Sequence, residues 1–401
     1  SPITGIVNKL DLTDRPAGAL FHAAAQVVHA LPSHAVTSVL PPQRTIGKGL
    51  TVAEAESSAI GEAVERYSIS WRGSEPARIA RLADVDALPL HSLFQFSPAQ
   101  YAQRELWNAK NEVRQRIPQP FDASRPVAWC DVKSLVSGQI RQVPAAYCYM
   151  NYRNAEQPEI YFGDTNGCAA GPTHQAAALA AALELIERDA VAIWWYNRLR
   201  RPAVDLDSFG HDGILQIRDA LRKIERSAYV LDITTGLGVP CFAAVVPKPD
   251  GSSPCFGAAA HPSAAIAAFR ALSEAVQVWF WSTNLGGNSA LQEFLRTTSA
   301  TGDSFLAPET VSAATPGEPR QTTAQMLDSV VQKLHACGIE SFELDCTRRE
   351  TGVPVVRVIA PGLRHFWARF GPGRLYDVPV EMGWRRTPLP EEALNPVPCM
   401  I

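Results

Sequence analysis

The amino-acid sequence predicts a mixed α/β fold of the α+β class, in which sheets pack against long alanine-rich helices. Three observations lead to this prediction. Long segments rich in Ala and Leu carry helix-start signals, short apolar runs bounded by turn residues are typical of strands, and the two kinds of segment alternate along the chain. With 401 residues, of which 46% are hydrophobic, the chain is long enough to bury a large core.

The first two helices are predicted from their capping signals. A helix is predicted over 17–31, because Asp14 can cap it and Pro16 lies in its first turn. Another is predicted from Thr51 to about Ser70, because a glutamate three residues after Thr51 completes a capping-box pattern.

The remaining elements follow from the same reasoning. Thr173 is predicted to cap a third long helix that reaches about residue 195. Residues 86–125 are polar and contain prolines, which predicts a surface insertion. Residues 283–321 are rich in Gly, Ser, Thr and Pro, which predicts a flexible loop. Strands are predicted over 126–135, 141–150, 228–233, 239–246, 255–260, 341–345 and 353–359, further helices over 263–282 and 324–337, and a Pro-rich tail over 388–401.

The composition excludes several classes of function. A formal net charge of -3 gives no general attraction to nucleic acid or to an anionic membrane surface, and no apolar run is long enough to span a bilayer. The eight cysteines include no Cys-x-x-Cys pair, so a zinc knuckle and a disulfide framework are both disfavoured. The chain begins with Ser1 and has no signal-peptide pattern. We therefore expect a cytoplasmic protein, either processed or cut from a longer chain.

The most informative pattern occurs twice, as two glutamates three residues apart followed at once by an arginine. On a helix such glutamates share a face, and two like charges side by side destabilise a bare helix. A positive group between the two pairs is therefore predicted. The residues are Glu62, Glu65 and Arg66 on the helix predicted from Thr51, and Glu184, Glu187 and Arg188 on the helix predicted from Thr173.

Magnesium is the cation that these residue types favour, since it prefers carboxylate, water and phosphate oxygens. The absence of histidines at matching positions disfavours zinc and a di-iron centre, and the adjoining arginines suit phosphate oxygens. The alternative is an exposed helix face held by Glu–Arg pairs. The apolar residues around both copies favour a buried polar site instead.

Two glycine-containing turns add potential for binding phosphate. Gly47, Lys48 and Gly49 precede the start of a predicted helix, where free backbone N–H groups and the helix dipole favour anions. The stretch 164–171 also leads into a helix, although it lacks the spacing of a P-loop.

Taken together, these residues resemble the YcaO domain, and within that family the streptolysin-S-type D proteins of azoline-forming systems. The similar stretches cover nearly the whole chain and keep their order. They are 47–51 (GKGLT), 58–66 (SAIGEAVER), 165–167 (TNG) with 170–171 (AG), 183–196 (LELIERDAVAIWWY), 274–277 (EAVQ) and 374–379 (RLYDVP).

The resemblance implies one YcaO cyclodehydratase domain over 1–401, with an ATP site between helices and a requirement for Mg²⁺. In this family a Cys, Ser or Thr side chain of a precursor peptide attacks the preceding carbonyl carbon. The resulting oxygen takes the γ-phosphate of ATP, and loss of phosphate leaves a thiazoline or oxazoline. Phosphoryl transfer is catalysed mainly by positioning and charge neutralisation, which metal-bound carboxylates and arginines supply.

The resemblance also implies roles for single residues. The expected magnesium ligands are Glu62, Glu65, Glu184 and Glu187. The residues expected to surround the nucleotide are Lys48, Ser58, Asn166, Arg270, Glu274 and Gln277. The catalytic groups are expected to be Arg66, Arg188 and the chain terminus at Ile401, which the family uses to assist proton transfer.

Two positions depart from the family pattern. The usual glutamate at the start of the second family helix is Ala176 here, so one member of the metal or nucleotide shell is unaccounted for. The tail carries Met400 where azoline-forming members have the third proline of a Pro-x-Pro-x-Pro ending.

The resemblance implies three kinds of partner: the precursor peptide, a leader-binding protein or domain, and an FMN-dependent azoline dehydrogenase. Two alternative functions stay open within this interpretation. One is formation of a thioamide or macroamidine by the same ATP activation, and the other is a non-catalytic nucleotide-binding scaffold, which the Ala176 departure keeps in consideration. A di-metal oxidase is disfavoured by the missing histidine ligands.

Overall fold

The structure is a computed structural model that describes residues 6–13, 20–27, 43–111, 115–152, 161, 163–284, 289–314 and 321–399. Within these ranges, fourteen strands form three sheets and eleven α-helices pack around them. The strands are β1 (Val7–Thr13), β2 (Phe21–Val27), β3 (Gln43–Gly49), β4 (Arg78–Ala80), β5 (Val127–Ser134), β6 (Ile140–Pro144), β7 (Cys168–Ala170), β8 (Ala203–Val204), β9 (Tyr229–Asp232), β10 (Cys241–Val246), β11 (Cys255–Ala260), β12 (Val311–Ser312), β13 (Phe342–Asp345) and β14 (Val355–Ile359).

The α-helices of the described residues are α1 (Val52–Ser68), α2 (Leu90–Phe94), α3 (Pro98–Ala102), α4 (Arg104–Lys110), α5 (Ala145–Cys148), α6 (His174–Tyr196), α7 (Asp212–Lys223), α8 (Ala264–Asn284), α9 (Ser289–Thr297), α10 (Thr323–Ala336) and α11 (Arg374–Glu381). None of them combines the length and the apolar character that crossing a bilayer requires.

The first sheet is antiparallel, in the order β1-β2-β3, and helix α1 packs on one of its faces. Small residues allow a close approach, since Ala23, Ala25, Ala55 and Ala59 are all fully buried. Gly47 on β3 is required by this packing, because a Cβ atom there would lie 2.0 Å from the carbonyl oxygen of Ala55.

The prediction of a helix over 17–31 is wrong, because residues 21–27 form strand β2. The alanines of this segment favour a helix by intrinsic propensity. Pairing with β1 and β3 overrides that preference, and Ala23 and Ala25, two residues apart, are buried on the face that packs against α1. The predicted flanks at 14–19 and 28–31 lie outside the described residues.

The other two sheets enclose the large core. The second has the strand order β11-β10-β9-β8-β12, and the third has the order β4-β5-β13-β14-β7 with β6 paired to β5. Helix α8 packs on β10 and β11, which are buried at every position, and α6 contacts strands of both sheets. Helix α6 is buried along most of its length, which explains its apolar sequence.

The capping predictions for the long helices are confirmed. Thr51 and Glu54 form the reciprocal capping box that begins α1, and the Thr173 side chain accepts a hydrogen bond from the backbone N–H of Ala176 at the start of α6. Helices α8 and α10 and strands β5, β9, β10, β11, β13 and β14 also lie where the sequence predicts them.

Several segments differ from the predictions. The strand predicted over 141–150 ends at Pro144 and continues as α5. The loop predicted over 283–321 contains helix α9 and strand β12, and its mobility stays a prediction. The predicted insertion over 86–125 forms α2, α3 and α4, and it buries Leu93 and Phe94 in the core. Helices α7 and α11 are not anticipated by the sequence patterns.

Candidate active site

A cavity of about 510 Å³ lies where β3, α1, α6, β11 and α8 meet. Its polar wall combines both charges and includes Lys48, Ser58, Glu184, Glu187, Arg270 and Glu274. The apolar part of the wall includes Leu50, Ala180, Leu183 and Phe269. A polar and an apolar wall in one cavity of this size are typical of a site for a small organic ligand with charged groups.

Lys48 lies at the carboxyl end of β3, three residues before Thr51, which caps α1. It pairs with His22 across the sheet, and Gly47 beside it faces α1, so Lys48 extends from the opposite face, into the cavity. Burial lowers the pKa of Lys48, an effect opposed by the carboxylates of Glu274, Glu187 and Glu62. The ammonium group therefore lies among acidic groups from three helices.

Helix α1 contributes the first pair of predicted carboxylates. Glu62 Oε1 lies 2.6 Å from Arg66 Nη2, and its other oxygen accepts a hydrogen bond of 3.0 Å from the backbone N–H of Ile46. Burial raises the pKa of Glu65 well above its usual value, and Glu184 and Glu62 raise it further. The carboxyl groups of α1 and α6 are therefore close enough to repel each other.

Helix α6 contributes the second pair. Burial raises the pKa of Glu184 to about 7 and that of Glu187 to about 8, although Arg188 opposes both shifts. The Arg188 guanidinium lies 3.4 Å from Glu184 and 3.6 Å from Glu187, and it stacks over the Phe366 ring at 4.3 Å. Its Nε has no hydrogen-bond partner among the described residues. Arg188 is thus held between two carboxylates and an aromatic ring.

Helix α8 supplies the remaining predicted groups. Glu274 accepts a hydrogen bond of 3.0 Å from the backbone N–H of Ala258 on β11. Gln277 donates one of 2.8 Å to the carbonyl oxygen of Ile46. Since Glu62 binds the N–H of the same residue, helices α1 and α8 together fix the segment of β3 that leads to Lys48.

Asn166 does not line the cavity but lies in a loop held by a buried polar network. Its N–H donates to Asp164 at 2.9 Å, its carbonyl oxygen accepts from Arg357 at 3.1 Å, and its buried side-chain oxygen has no partner among the described residues. Burial alone would raise the pKa of Asp164, but His365 and the nearby arginines lower it to about 2. The Asp164 carboxylate therefore stays charged, and it helps to raise the pKa of Glu184.

Sequence reasoning missed the roles of Asp164, Arg357 and His365. Asp164 lies in the stretch 164–171, for which the sequence predicts potential for binding phosphate. Arg357 is a single charge in the otherwise apolar strand β14, and such a charge indicates a buried polar contact. His365 carries no local signal, since its bond of 3.1 Å to Asp164 joins residues 201 positions apart.

The described part of the tail approaches the same site. The backbone N–H of Asn395 donates to the Tyr196 carbonyl oxygen at 2.8 Å, and Trp195 Nε1 donates to the Val397 carbonyl oxygen at 2.7 Å. Cys399 is buried and close enough to Arg188 for each to shift the other's pKa. The predicted catalytic terminus, Ile401, and Met400 lie outside the described residues.

The carboxylates fit a magnesium ion shared with a ligand. Among the described residues, no three His, Cys, Asp or Glu side chains are arranged to hold a metal ion by themselves. Magnesium usually takes only one or two protein carboxylates and fills its shell with phosphate and water oxygens. The raised pKa values show carboxylates in surroundings that disfavour negative charge, and a bound cation would reverse that preference.

Comparisons with known proteins agree with this geometry. A heterocyclase solved in complex with substrate and cofactor is 37% identical and superposes with a TM-score of 0.91, over 100% of this chain and 55% of that one. The heterocyclase TruD is 36% identical, with a TM-score of 0.77 over 88% of this chain and 52% of its own. This chain thus spans about half the length of either protein. A YcaO protein from Methanopyrus kandleri, solved with AMPPCP and Mg²⁺, is 22% identical with a TM-score of 0.68, over 91% and 89% of the two chains, and it supports the fold.

The family assignment rests on the length of the match as well as on the fold. The family model for the YcaO cyclodehydratase, described as ATP- and Mg²⁺-binding, matches residues 46–364. This range includes the carboxyl-terminal part of strand β3 and all of helices α1, α6 and α8, which build the cavity. Since the match covers well over half of the sequence, the chain belongs to the YcaO family of ATP- and Mg²⁺-binding cyclodehydratases.

Proposed function

We propose that this chain catalyses the ATP-dependent cyclodehydration of Cys, Ser or Thr residues in a ribosomally made precursor peptide, giving thiazolines or oxazolines. The observation that carries the proposal is the cavity between α1, α6 and α8, where acidic side chains of three helices surround Lys48. The 37% identity to a heterocyclase over the full length of this chain supports the reaction type.

The walls of the cavity suit the parts of a nucleotide. Lys48, Arg270 and Ser58 provide cationic and hydroxyl groups for phosphate oxygens. Phe269 provides an aromatic surface, backed by the His211 ring stacked on it at 4.9 Å, against which a base can lie. When bound, Mg²⁺ supplies positive charge to the phosphates, and Glu62, Glu65, Glu184 and Glu187 are the residues that would hold it.

The proposed reaction joins the substrate side chain to the preceding carbonyl carbon and moves the γ-phosphate of ATP to the carbonyl oxygen. Departure of phosphate, with loss of the amide proton, then forms the C=N bond of the closed ring, so that peptide and ATP give azoline, ADP and phosphate. Arg66 and Arg188 are the catalytic cations in this scheme, since Arg66 pairs with Glu62 and Arg188 pairs with Glu184 and Glu187, the glutamates proposed to hold magnesium. Their contribution is to neutralise charge in a site that is already organised.

Partners follow from the lengths of the relatives. Because this chain spans only 55% and 52% of the two heterocyclase chains, we propose that another protein or domain binds the leader of the precursor peptide. An FMN-dependent dehydrogenase would then oxidise the azoline to an azole. We further propose that the assembly is cytoplasmic.

The proposal is tested by reconstitution and mass spectrometry. The purified chain is combined with the candidate leader-binding partner, the precursor peptide and Mg-ATP, and the expected product has lost one water per ring. Exchange of oxygen for sulfur would instead show thioamide formation. Formation of a macroamidine also loses water. Fragmentation of the modified peptide must therefore show that each new ring joins a Cys, Ser or Thr side chain to the residue directly before it.

Two further outcomes bear on the proposal. Product formation must require ATP turnover by this chain. The test variant is Glu187→Gln, and its matched control is Glu56→Gln, which lies on α1 but away from the cavity wall. A complete mixture that binds ATP without hydrolysing it, and without changing the mass of the peptide, would favour the nucleotide-binding scaffold. The position of Ala176, without a carboxylate in the first turn of α6, makes that comparison necessary.

A further inference from the structure

His22 is a buried histidine that the proposed reaction does not use. It lies on β2, is 1% exposed, and neither of its ring nitrogens has a hydrogen-bond partner among the described residues. Burial, together with the nearby Lys48 ammonium, lowers its pKa to about 4, so the ring is neutral near pH 7. A neutral imidazole has one donor and one acceptor, and leaving both unpaired in the interior is unfavourable. Such a group in a native structure requires an explanation.

The position of His22 connects it to the cavity. It is the direct partner of Lys48 in the β2–β3 ladder, and paired residues extend from the same face with Cβ atoms about 4.5–5.5 Å apart. This face is opposite the one packed on α1, which carries Ala23 and Ala25. The imidazole is held flat against the Phe280 ring of α8, at 4.5 Å and an interplanar angle of 5°.

The charges that face this pair come from all three helices around the cavity. Glu62 of α1, Glu187 of α6 and Glu274 of α8 attract the Lys48 ammonium, and Arg270 of α8 repels it. Without a further contact, the flexible lysine side chain is free to follow whichever carboxylate is charged. A neutral hydrogen-bond acceptor near the lysine limits that freedom. Because it carries no charge, it does not compete with the negatively charged ligand for the ammonium.

We propose that His22 is a positioning residue of the nucleotide site: when nucleotide binds, its unpaired and unprotonated ring nitrogen becomes the acceptor of a hydrogen bond from the neighbouring Lys48 and directs the ammonium toward the phosphates. This inference rests on the proposed use of ATP. It explains why a polar ring is kept in an otherwise apolar contact with Phe280. A histidine that served only to fill the core could be replaced by phenylalanine, which keeps the stacking and removes two unpaired polar atoms.

The test compares stability with nucleotide binding. In His22→Phe we expect an unchanged or higher Tm, because two buried polar atoms without partners disappear, together with a Kd for Mg-ATP raised about tenfold. The KM for ATP should rise in parallel while kcat changes little. His22→Gln keeps an acceptor and should bind ATP nearly as well as the unaltered chain. His22→Leu provides a second nonpolar variant.

A double-mutant cycle with Lys48→Ala shows whether His22 acts through the lysine. The proposal requires that His22→Phe has no further effect on ATP binding once Lys48 is removed. An exposed histidine of α10 supplies the control, since His335→Phe should change neither Tm nor Kd appreciably.

Each remaining outcome overturns the inference in a distinguishable way. If the unaltered chain does not bind ATP, the proposed function and this inference fail together. If it binds ATP and His22→Phe binds equally well, only the inference fails. It also fails if His22→Gln loses as much affinity as His22→Phe, or if the loss persists in the Lys48→Ala background.

Discussion

Two cavities of this protein have nearly the same size but different chemistry. The first, between α1, α6 and α8, has a volume of about 510 Å³, and the second, beside β8, β12 and α7, has about 490 Å³. Both are lined by side chains of both charges. In the second cavity both buried or half-buried arginines have partners: Arg218 pairs with Asp207 and Asp219, and Arg226 donates to two backbone carbonyl oxygens.

Exposure accounts for the difference. The side chains of Asp207 and Asp219 are 64% and 55% exposed, so water screens them and their ion pairs contribute little. Those of Glu184 and Glu187 are 23% and 14% exposed, and their raised pKa values show that charge there is costly. The comparison teaches that volume alone does not identify a site, whereas poorly compensated charge in a sheltered cavity does.

The largest expected effect compares Glu187, which lines the first cavity, and Glu65, which lies close to Glu184 of its wall, with a carboxylate of the second cavity. We expect Glu65→Ala and Glu187→Ala to reduce peptide-stimulated ATP hydrolysis about 100-fold or more, because each removes a carboxylate that we propose to hold magnesium against the phosphates. The measurement is steady-state phosphate release with saturating Mg²⁺. Their Tm should fall little, since a buried carboxyl group with a raised pKa stabilises the fold poorly.

Asp207→Asn in the second cavity is the matched control for these variants. It also removes a carboxylate from a cavity wall, but from one that is exposed and paired with Arg218. Its rate should stay within twofold of the unaltered chain. If Asp207→Asn lost as much ATP hydrolysis as Glu187→Ala, the chemical difference between the two cavities would have no bearing on function.

A smaller effect is expected from the apolar wall of the first cavity. Phe269→Ala should weaken ATP binding about tenfold, since stacking of a base on an aromatic ring typically contributes about 1–3 kcal/mol. Binding of Mg²⁺ with inorganic triphosphate, which has no base, should be unchanged, and Phe269→Tyr should retain ATP affinity. Isothermal titration of both ligands distinguishes the two parts of the site. Parallel losses for ATP and triphosphate would show a general distortion of the cavity instead.

The smallest effect concerns stability and pH in the metal-free protein. Glu184 and Glu187 keep a proton in the folded state up to pH about 7 and 8, whereas the unperturbed value is 4.5. Between these values the folded state binds more protons than the unfolded state, so stability should fall as the pH rises from about 5 to 8. A shift in Tm of a few °C is expected by thermal denaturation.

The matched variants separate this linkage from other titrations. Glu184→Gln combined with Glu187→Gln should flatten the decline in Tm, whereas Asp207→Asn should leave it in place. Mg²⁺ with a non-hydrolysable ATP analogue should also flatten it, because a bound cation displaces the protons. An undiminished decline in the double variant would assign the effect to groups elsewhere in the protein.

Much of the site could be predicted from the sequence because its signals are local. The glutamates at a spacing of three residues indicate one face of a helix, and the capping box at Thr51 and the side-chain cap at Thr173 fix where α1 and α6 begin. The residue types that bind the ligands could also be recognised, since carboxylates favour magnesium and arginines favour phosphate. Lys48, Ser58, Glu184, Glu187, Arg270 and Glu274 do line one cavity.

Other features depended on contacts between distant parts of the chain. The alanines of β2 indicate a helix by propensity, and only pairing with β1 and β3 makes that segment a strand. Gln277 binds the backbone of Ile46, 231 positions away, and His365 binds Asp164, 201 positions away.

The amino-acid sequence by itself therefore determined the family, the long helices and the acidic groups that they carry. Only the tertiary structure decided which of these groups face one another, which of them lose water, and that His22 lies beside Lys48. The physical reason is that caps and helical periodicity are set by neighbours in the chain, whereas desolvation and the pKa shifts it causes arise only when separate elements pack together.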